Sequence, residues 1–253
     1  YGFLIEACTY PDSAMQLRKQ ISANFEAGMT TKLRIEKARR GERFTLDHFS
    51  ERRMRDIATV LKKRGAYVVP TLVTNRGKYF SNDTAFTNDE RMAFLSDATR
   101  TYWRESVKTD LKNYTPEDWR NFRKRYEIEK RMVKILADAG INMMAGTDFD
   151  NPFAFPGFSL HDELALYVEF GMKPLDALRT ATINPVRYLN MTDSLGTIEK
   201  GKRADFILLA GNPLQDINNT KKIAAVMNNG RLYLADELEK MKADVLQRNK
   251  PSN

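Results

Sequence analysis

The spacing of apolar residues predicts a helix that leads directly into a buried strand near residue 65. Ser50 is a favourable N-cap, and Gly65 stands where helices commonly end. Between them, apolar residues repeat at the spacing of one helix face: Met54, Ile57, Ala58 and Leu61. The run Ala66–Val73 is apolar and rich in β-branched residues, which is typical of a strand buried on both faces of a parallel sheet. A helix followed by such a strand indicates an α/β protein.

The same helix-to-strand pattern recurs further along the chain. Residues 74–116 are polar and aromatic, and we interpret them as a long insertion with a helix at about 88–110. An apolar stripe from Trp119 to Leu136 then predicts a second long helix, which ends at Gly140. Ile141–Asp148 follows as a second buried strand. Functional residues collect at the C-terminal ends of strands in parallel α/β folds, so Asp148 is a candidate site residue.

Beyond Asp148 the pattern changes from helices to short strands. Ser159 is predicted to cap a helix closed by Gly171, and Pro174 and Pro185 each open a further helix. Strands are predicted at residues 204–209, 223–227 and 231–234, with Asn229-Gly230 as a hairpin turn. The last dozen residues read as a helix that frays into a tail. We therefore divide the chain into residues 1–192, an antiparallel unit at 193–240 and a tail at 241–253.

Composition excludes several classes of protein and site. The 253 residues are 42% hydrophobic, which indicates a globular chain, and no stretch approaches the ~18 apolar residues of a membrane span. The single cysteine, Cys8, excludes an internal disulfide framework and a four-cysteine zinc site. The net charge of +8 comes from residues 1–138, where the basic side chains are spread along predicted helices. Solvated helix faces explain this charge better than nucleic-acid binding, which stays as the weaker alternative.

Five segments carry a resemblance to a known family. They are Gly146–Asp148, Pro156–Leu164, Ala177–Pro185, Leu195–Asp205 and Gly211–Leu214. In this order, and almost continuously from about residue 66 to 234, the chain resembles the C-terminal part of the amidohydrolase superfamily. Within that superfamily it is most similar to the imidazolonepropionase-like and Xaa-Pro dipeptidase-like branch.

The resemblance implies a metal-dependent (β/α)8 barrel, of the TIM type, with a small β-sandwich domain built from both chain ends. Ala66–Val73 would be the seventh barrel strand and Ile141–Asp148 the eighth. Residues 1–192 would then be the C-terminal portion of the barrel, and residues 193–240 the last strands of the sandwich. Asp148 would bind a metal ion and accept a proton from the attacking water. The alternative for Asp148 is a carboxylate that caps a turn or a helix after Gly146-Thr147.

The resemblance also implies where the substrate would lie. In the family, the segment that contains His161 lies near the substrate, as would the loop that contains Phe155 and Phe158. The 74–116 insertion, with its aromatic side chains, would form a lid. For His161 a structural hydrogen bond in the first turn of a helix is an equally weighted alternative.

The chain departs from the family pattern in its histidines. The family requires a His-x-His on the first strand and further histidines on the fifth and sixth strands, whereas this chain has two histidines in all. His48 resembles the sixth-strand ligand superficially, but residues 39–46 are too polar for a buried barrel strand. We favour a ligand before Tyr1, because in this branch the sixth-strand histidine is followed closely by a segment like Tyr1–Cys8. His48 would then be an exposed residue at a helix start.

These observations lead to a hypothesis about function. We expect a hydrolase of carbon–nitrogen bonds, amide or peptide, that uses one or two divalent ions, zinc by preference. Its partners would be a small-molecule or dipeptide-like substrate and the remainder of the barrel, and a homo-oligomer is compatible with this interpretation; no nucleic acid or membrane is expected. The alternative is a non-catalytic remnant or binding module on the same scaffold, favoured by the scarcity of histidine and opposed by the intact Gly146–Asp148 and Pro156–Leu164 segments.

Overall fold

The computed structural model describes residues 7–9 and 30–250. The chain divides into two compact units, one formed by residues 1–66 and 113–141 and the other by residues 67–112 and 142–253. The helices, numbered in chain order, are α1 Thr31–Asp47, α2 Glu51–Lys63, α3 Leu72–Tyr79, α4 Thr84–Thr87, α5 Asp97–Asn113, α6 Pro116–Asp138, α7 Ser159–Glu169, α8 Pro174–Thr180, α9 Ile183–Tyr188 and α10 Ala235–Arg248. The strands are β1 Tyr67–Val68, β2 Asn142–Met143, β3 Phe206–Leu209, β4 Ile223–Asn228 and β5 Arg231–Leu234, and 3-10 turns cover Glu90–Phe94 and Ile217–Lys221.

The first unit is a helical layer in which α1 and α2 both pack on α6. Apolar residues fill the interfaces, and the most completely buried are Met54, Ala58, Met132, Val133 and Leu136. Each of the three helices has a side-chain N-cap: the hydroxyl oxygens of Thr30, Ser50 and Thr115 each accept a hydrogen bond from a backbone N–H of the first turn. The predicted helix that begins at Ser50 and the helix that runs from Trp119 to Leu136 are both confirmed.

His48 lies just after α1 and is exposed. Its Nδ1 is 2.8 Å from the carbonyl oxygen of Phe44, and its ring stacks on the Phe44 ring with centroids 4.1 Å apart. Because residues 39–46 are helical, the alternative that places His48 at the end of a buried barrel strand is wrong. The comparison of Tyr1–Cys8 with a family segment falls, apart from Ala7 and Cys8, outside the described residues.

The second unit contains a short parallel pair of strands. Tyr67 pairs with Asn142 and Val68 with Met143. Strands are therefore present in both predicted segments but are much shorter than expected, and Leu72 and Val73 belong to α3 rather than to a strand. An apolar, β-branched run does not by itself distinguish a buried strand from a buried helix turn, which is why the pattern overextended the strand.

The predicted insertion folds as a series of helices around an aromatic core. Of the helix predicted at about 88–110, the first part is a 3-10 turn, and the regular helix α5 begins at Asp97. Leu95, Trp103, Phe153 and Phe155 form a buried cluster. The aromatic residues of the insertion thus pack against the loop that follows Asp148, within the second unit.

The remainder of the second unit contains three helices, an antiparallel sheet and a terminal helix. The sheet has the order β3–β4–β5, and Asn229 and Gly230 form the hairpin turn with φ values of 49° and 78°, as predicted.

The predicted cap at Ser159 is wrong: the N-cap is Phe158, and the Ser159 hydroxyl instead accepts the Phe155 N–H at 2.7 Å. α9 begins at Ile183, two residues before the predicted start, and α10 extends to Arg248.

The elements confirm the α/β class. The assignments to a partial barrel and a β-sandwich, and the division at residues 192 and 240, stay predictions. Among the described residues, none of the helices combines the length and the apolar character needed to cross a membrane.

Candidate functional site

Asp148 lies five residues beyond the end of β2 and is exposed. Its backbone adopts the left-handed conformation, with φ of 51°. The side-chain amide of Asn151 donates to the Asp148 carbonyl oxygen at 2.8 Å and to carboxylate Oδ2 at 3.0 Å. These two bonds orient the carboxylate within its own turn. Asp148 does not cap a helix, but its carboxylate binds within a turn, so the turn form of the alternative fits the structure and the helix form does not.

The chain that leads to Asp148 is held by side chains from three helices. Tyr167 Oη donates to the Met144 carbonyl at 3.1 Å, Asn184 Nδ2 to the Met143 carbonyl at 2.8 Å, and Thr74 Oγ1 to the Thr147 carbonyl at 2.7 Å. The Ala145 N–H also donates to the carbonyl of Thr180, at 2.9 Å. Each of these bonds satisfies a backbone group that the short strand β2 leaves unpaired.

Gly146 explains why the strand segments approach so closely just before Asp148. A Cβ placed on Gly146 would lie 2.7 Å from Cγ1 of Val69. A real side chain does not fit at that distance, so the glycine is required by the packing of the two chain segments. The Gly146–Asp148 motif thus combines a packing requirement with an exposed carboxylate.

Glu163 is a fully buried carboxylate on α7 that the sequence interpretation did not identify. Its Oε1 accepts the N–H of Leu72 at 2.9 Å and its Oε2 accepts the N–H of Val73 at 2.8 Å. Thr71, the N-cap of α3, has φ of 51° and provides no side-chain cap, so Glu163 caps α3 from another helix. Burial raises the pKa of Glu163 to about 7, although the two backbone hydrogen bonds act in the opposite direction.

His161 is half-buried in the first turn of α7. Burial lowers its pKa, and the positive charge of Lys221 lowers it further, which favours the neutral imidazole. Its buried Nδ1 has no hydrogen-bond partner among the described residues. The structural hydrogen bond offered as the alternative for His161 is therefore not seen at Nδ1, and its substrate contact stays a prediction.

Phe155 and Phe158 occupy different environments. Phe155 is 2% exposed in the aromatic core, and the Arg91 guanidinium lies 4.4 Å from the centroid of its ring. Phe158 is partly buried against that core and contacts the ring of Phe94 at a centroid distance of 5.0 Å. In this structure both side chains are engaged in packing, and their predicted contact with a substrate is untested.

Asp162 joins the elements around α7 through three cations. Arg91 lies 2.5 Å and Lys221 2.8 Å from its carboxylate oxygens, and Arg76 lies at 4.0 Å. Burial by itself raises the pKa of Asp162, but the hydrogen bonds from Lys221 and Arg91 outweigh it and hold the pKa below its usual value. Asp162 therefore stays ionised and fixes α7 against the insertion and the 3-10 turn that contains Lys221.

A polar cavity of about 210 Å³ adjoins the Asp148 turn. α3 and α5 form two of its walls, and Asn151 and Pro152 complete it. Asn151 thus lines the cavity and also binds the Asp148 carboxylate. Thr74 lines the same cavity and binds the carbonyl of Thr147. Asn151 and Thr74 therefore contribute both to the lining of the cavity and to the support of the Asp148 turn.

The described part of the chain does not supply a complete metal site. Within residues 7–9 and 30–250, no group of three or more histidine, cysteine, aspartate or glutamate side chains is close enough to hold a metal ion. His161 and Asp148 are not brought together in such a group. Asp148 offers an exposed carboxylate, and its role as a metal ligand stays a prediction.

The structure adds three residues to the site that were not selected from the sequence: Glu163, Asn151 and Thr74. Glu163 stands two positions after His161 in the Pro156–Leu164 segment, so the motif itself contained a signal. Asn151 and Thr74 are polar residues in loop-like sequence, and nothing in their local pattern distinguishes them from solvated residues.

Several curated relatives match part of this chain. The chain is 36% identical over 101 residues to imidazolonepropionase of Deinococcus radiodurans, which covers 40% of this chain and 24% of the relative. It is 48% identical over 94 residues to imidazolonepropionase of Desulfotalea psychrophila, covering 35% and 19%. It is 28% identical over 141 residues to ochratoxinase of Aspergillus niger, covering 54% and 28%. The matches thus span about a quarter of the length of these relatives.

Solved structures share the fold. A bottromycin amidohydrolase matches with a TM-score of 0.59 at 22% identity, covering 73% of this chain and 40% of that one. A Xaa-Pro dipeptidase with bound methionine matches with a TM-score of 0.50 at 21% identity, covering 78% of this chain and 43% of that one.

The sequence model of the Amidohydrolase family matches residues 12–233. This match covers most of the chain, and the chain therefore belongs to the Amidohydrolase family.

Proposed function

We propose that the chain forms part of a hydrolase that cleaves carbon–nitrogen bonds, amide or peptide, and that it contributes Asp148 to the catalytic centre. The observation that carries the proposal is the exposed Asp148 carboxylate after β2, with its orientation fixed by Asn151. Membership of the Amidohydrolase family supports the reaction class, as do the imidazolonepropionase and ochratoxinase relatives. The substrate would be a small molecule or a dipeptide-like compound.

The fold around Asp148 suits this role. The carbonyls of Met143, Met144 and Thr147 each accept a hydrogen bond from a helix side chain, and Gly146 permits the close packing before the carboxylate. A catalytic carboxylate must be held in a narrow range of positions, which rigid support of its backbone provides. In this proposal the chain is the C-terminal portion of a (β/α)8 barrel, with strands of a β-sandwich domain at residues 193–240.

We further propose that the complete protein holds one or two divalent ions, zinc by preference, with Asp148 as one ligand. Carboxylate oxygens are normal zinc ligands, and a bound zinc ion lowers the pKa of water toward neutrality. The 253 residues contain no two histidines separated by one residue. The imidazole ligands typical of such a site would therefore come from sequence outside these 253 residues.

The test is to measure metal content and the hydrolysis of a set of dipeptides and acylated amino acids by the natural protein and by Asp148→Asn. The substitution keeps the size of the side chain but removes its charge and its ability to accept a proton. We expect the rate of hydrolysis to fall by at least about a hundredfold, since proton transfer by a positioned group contributes about 10²–10⁴-fold. We also expect bound metal to decrease.

Asp193→Asn is the matched control, because Asp193 is an exposed aspartate outside the site. Its metal content and rate should equal those of the natural protein. Equal hydrolysis by Asp148→Asn and the natural protein would refute the role of Asp148. A natural protein without hydrolase activity on any compound of the set and without metal would instead favour the binding module on the same scaffold.

A further inference from the structure

The polar cavity beside Asp148 contains opposite charges on two facing helices. Lys78 projects from α3 and Asp110 from α5, and both line the cavity of about 210 Å³. Hydroxyl and amide groups make up most of the remaining lining, including Ser106 and Asn75. Ligand sites are usually predominantly apolar, so a cavity with this many hydrogen-bonding groups suits a small polar ligand.

The two charges restrict the chemistry of that ligand. An anion such as a carboxylate or phosphate is attracted by Lys78 but repelled by Asp110. A simple cation is attracted by Asp110 but repelled by Lys78. A ligand that contains both an ammonium and a carboxylate group satisfies both side chains. Burial raises the pKa of Asp110, and the positive charge of Lys78 offsets part of this effect.

The position of the cavity connects it to the candidate catalytic carboxylate. Asn151 lines the cavity, and its amide donates to Asp148 Oδ2 at 3.0 Å. Thr74 also lines the cavity, and its hydroxyl donates to the carbonyl of Thr147 at 2.7 Å. A group bound in the cavity therefore lies one side chain away from Asp148.

The volume limits the size of the ligand. Pockets for drug-sized ligands measure about 300–1,000 Å³, and this cavity is smaller. It accommodates a head group with one small side chain, while a longer molecule would extend through the open side toward solvent.

We propose that this cavity binds the free ammonium and carboxylate groups of a small amino acid, with Lys78 holding the carboxylate and Asp110 the ammonium. This inference rests on the proposed function in one respect: the amino acid would be a product that lies beside Asp148, because hydrolysis of the amide bond frees the second of its two charged groups. The site is formed largely by the 74–116 insertion, so it would determine specificity without taking part in bond cleavage.

The experiment is a saturation-transfer NMR titration of the natural protein with L-alanine. Propionate lacks the ammonium group and ethylamine lacks the carboxylate, so they serve as ligands with a single charge. We expect L-alanine to bind and each single-charge compound to bind about tenfold more weakly or worse, as the loss of one charge-assisted hydrogen bond implies. Lys78→Met and Asp110→Asn should each weaken the binding of L-alanine by about tenfold or more.

Matched variants come from the exposed ion pair between Lys108 and Glu105 on α5, which does not line the cavity. Lys108→Met and Glu105→Gln should leave the binding of L-alanine unchanged, and circular dichroism shows whether each variant is folded. Failure of L-alanine to bind, equal binding of propionate, or binding that is insensitive to both cavity variants would overturn the proposal.

The readout separates the two proposals. Binding of L-alanine is measured without hydrolysis, so loss of hydrolysis in Asp148→Asn does not bear on it. Binding of L-alanine through Lys78 and Asp110 without hydrolysis of any of the compounds would support the amino-acid site and contradict the proposed activity. Hydrolysis without binding of L-alanine would support the proposed activity and overturn the proposed amino-acid site.

Discussion

The buried carboxylate of Glu163 makes the stability of this protein depend on pH near neutrality. The pKa of a glutamate is 4.5 before burial and rises to about 7 in the folded protein. Between these two values the folded state binds more protons than the unfolded state, so the free energy of unfolding falls as the pH rises. A difference of one pKa unit corresponds to about 1.4 kcal/mol, so ionisation of Glu163 costs about 3 kcal/mol in total.

The perturbation is Glu163→Gln, which keeps the shape and an acceptor oxygen but does not titrate. The stabilising contribution of the protonated carboxyl group is fully present below pH 4.5 and is lost as the pH rises through 7. Relative to Glu163→Gln, the natural protein should therefore lose about 3 kcal/mol of unfolding free energy between pH 4.5 and pH 8. Urea unfolding of both proteins at intervals of pH measures this difference directly.

The control is Glu105→Gln, since Glu105 is an exposed glutamate on α5. Its unfolding free energy, measured over the same range of pH, shows the effect of replacing a glutamate that is not buried. Parallel curves for the natural protein and Glu163→Gln would refute the argument, because they would mean that Glu163 has the same pKa in the folded and unfolded states.

Three further predictions concern packing, capping and charge. In Gly77→Ala the new Cβ would lie 2.5 Å from the Pro152 carbonyl oxygen. We expect the free energy of unfolding, measured by thermal unfolding, to fall by about 1–3 kcal/mol. An increase would show that the higher helix propensity of alanine outweighs this steric clash. Thr115→Ala removes a capping box and should cost about 1 kcal/mol in urea unfolding, while Thr59→Ala in the middle of α2 should not destabilise. Asp162→Asn leaves three cations without their shared carboxylate and should cost about 3 kcal/mol; an unchanged urea midpoint would contradict the central role of this carboxylate.

Local sequence determined the helices well. The cap at Ser50, the stripe from Trp119 to Leu136 and the Asn229-Gly230 turn all appear where the pattern places them. Each of these features depends on residues within a few positions of one another. Such interactions are encoded by spacing, so they are readable without knowledge of the fold.

The sequence alone also indicated the family, because the motifs that carry the resemblance are continuous. The role of Asp148 as a site residue stays a prediction. The sequence interpretation failed where the deciding contact is distant. Leu72 and Val73 have the composition of a strand, yet they begin α3 because the Glu163 carboxylate, 91 and 90 positions away in sequence, accepts their N–H groups. No local pattern contains that information.

The same reason explains the rest of the candidate site. Asn151 and Thr74 are ordinary polar residues in the sequence, and only the folded chain brings them to Asp148 and Thr147. Lys78 and Asp110 become a pair only when α3 and α5 face the same cavity. The sequence determined most of the helices and the family, while the tertiary structure decided which polar groups surround Asp148, because hydrogen bonds and charges act through space and not along the chain.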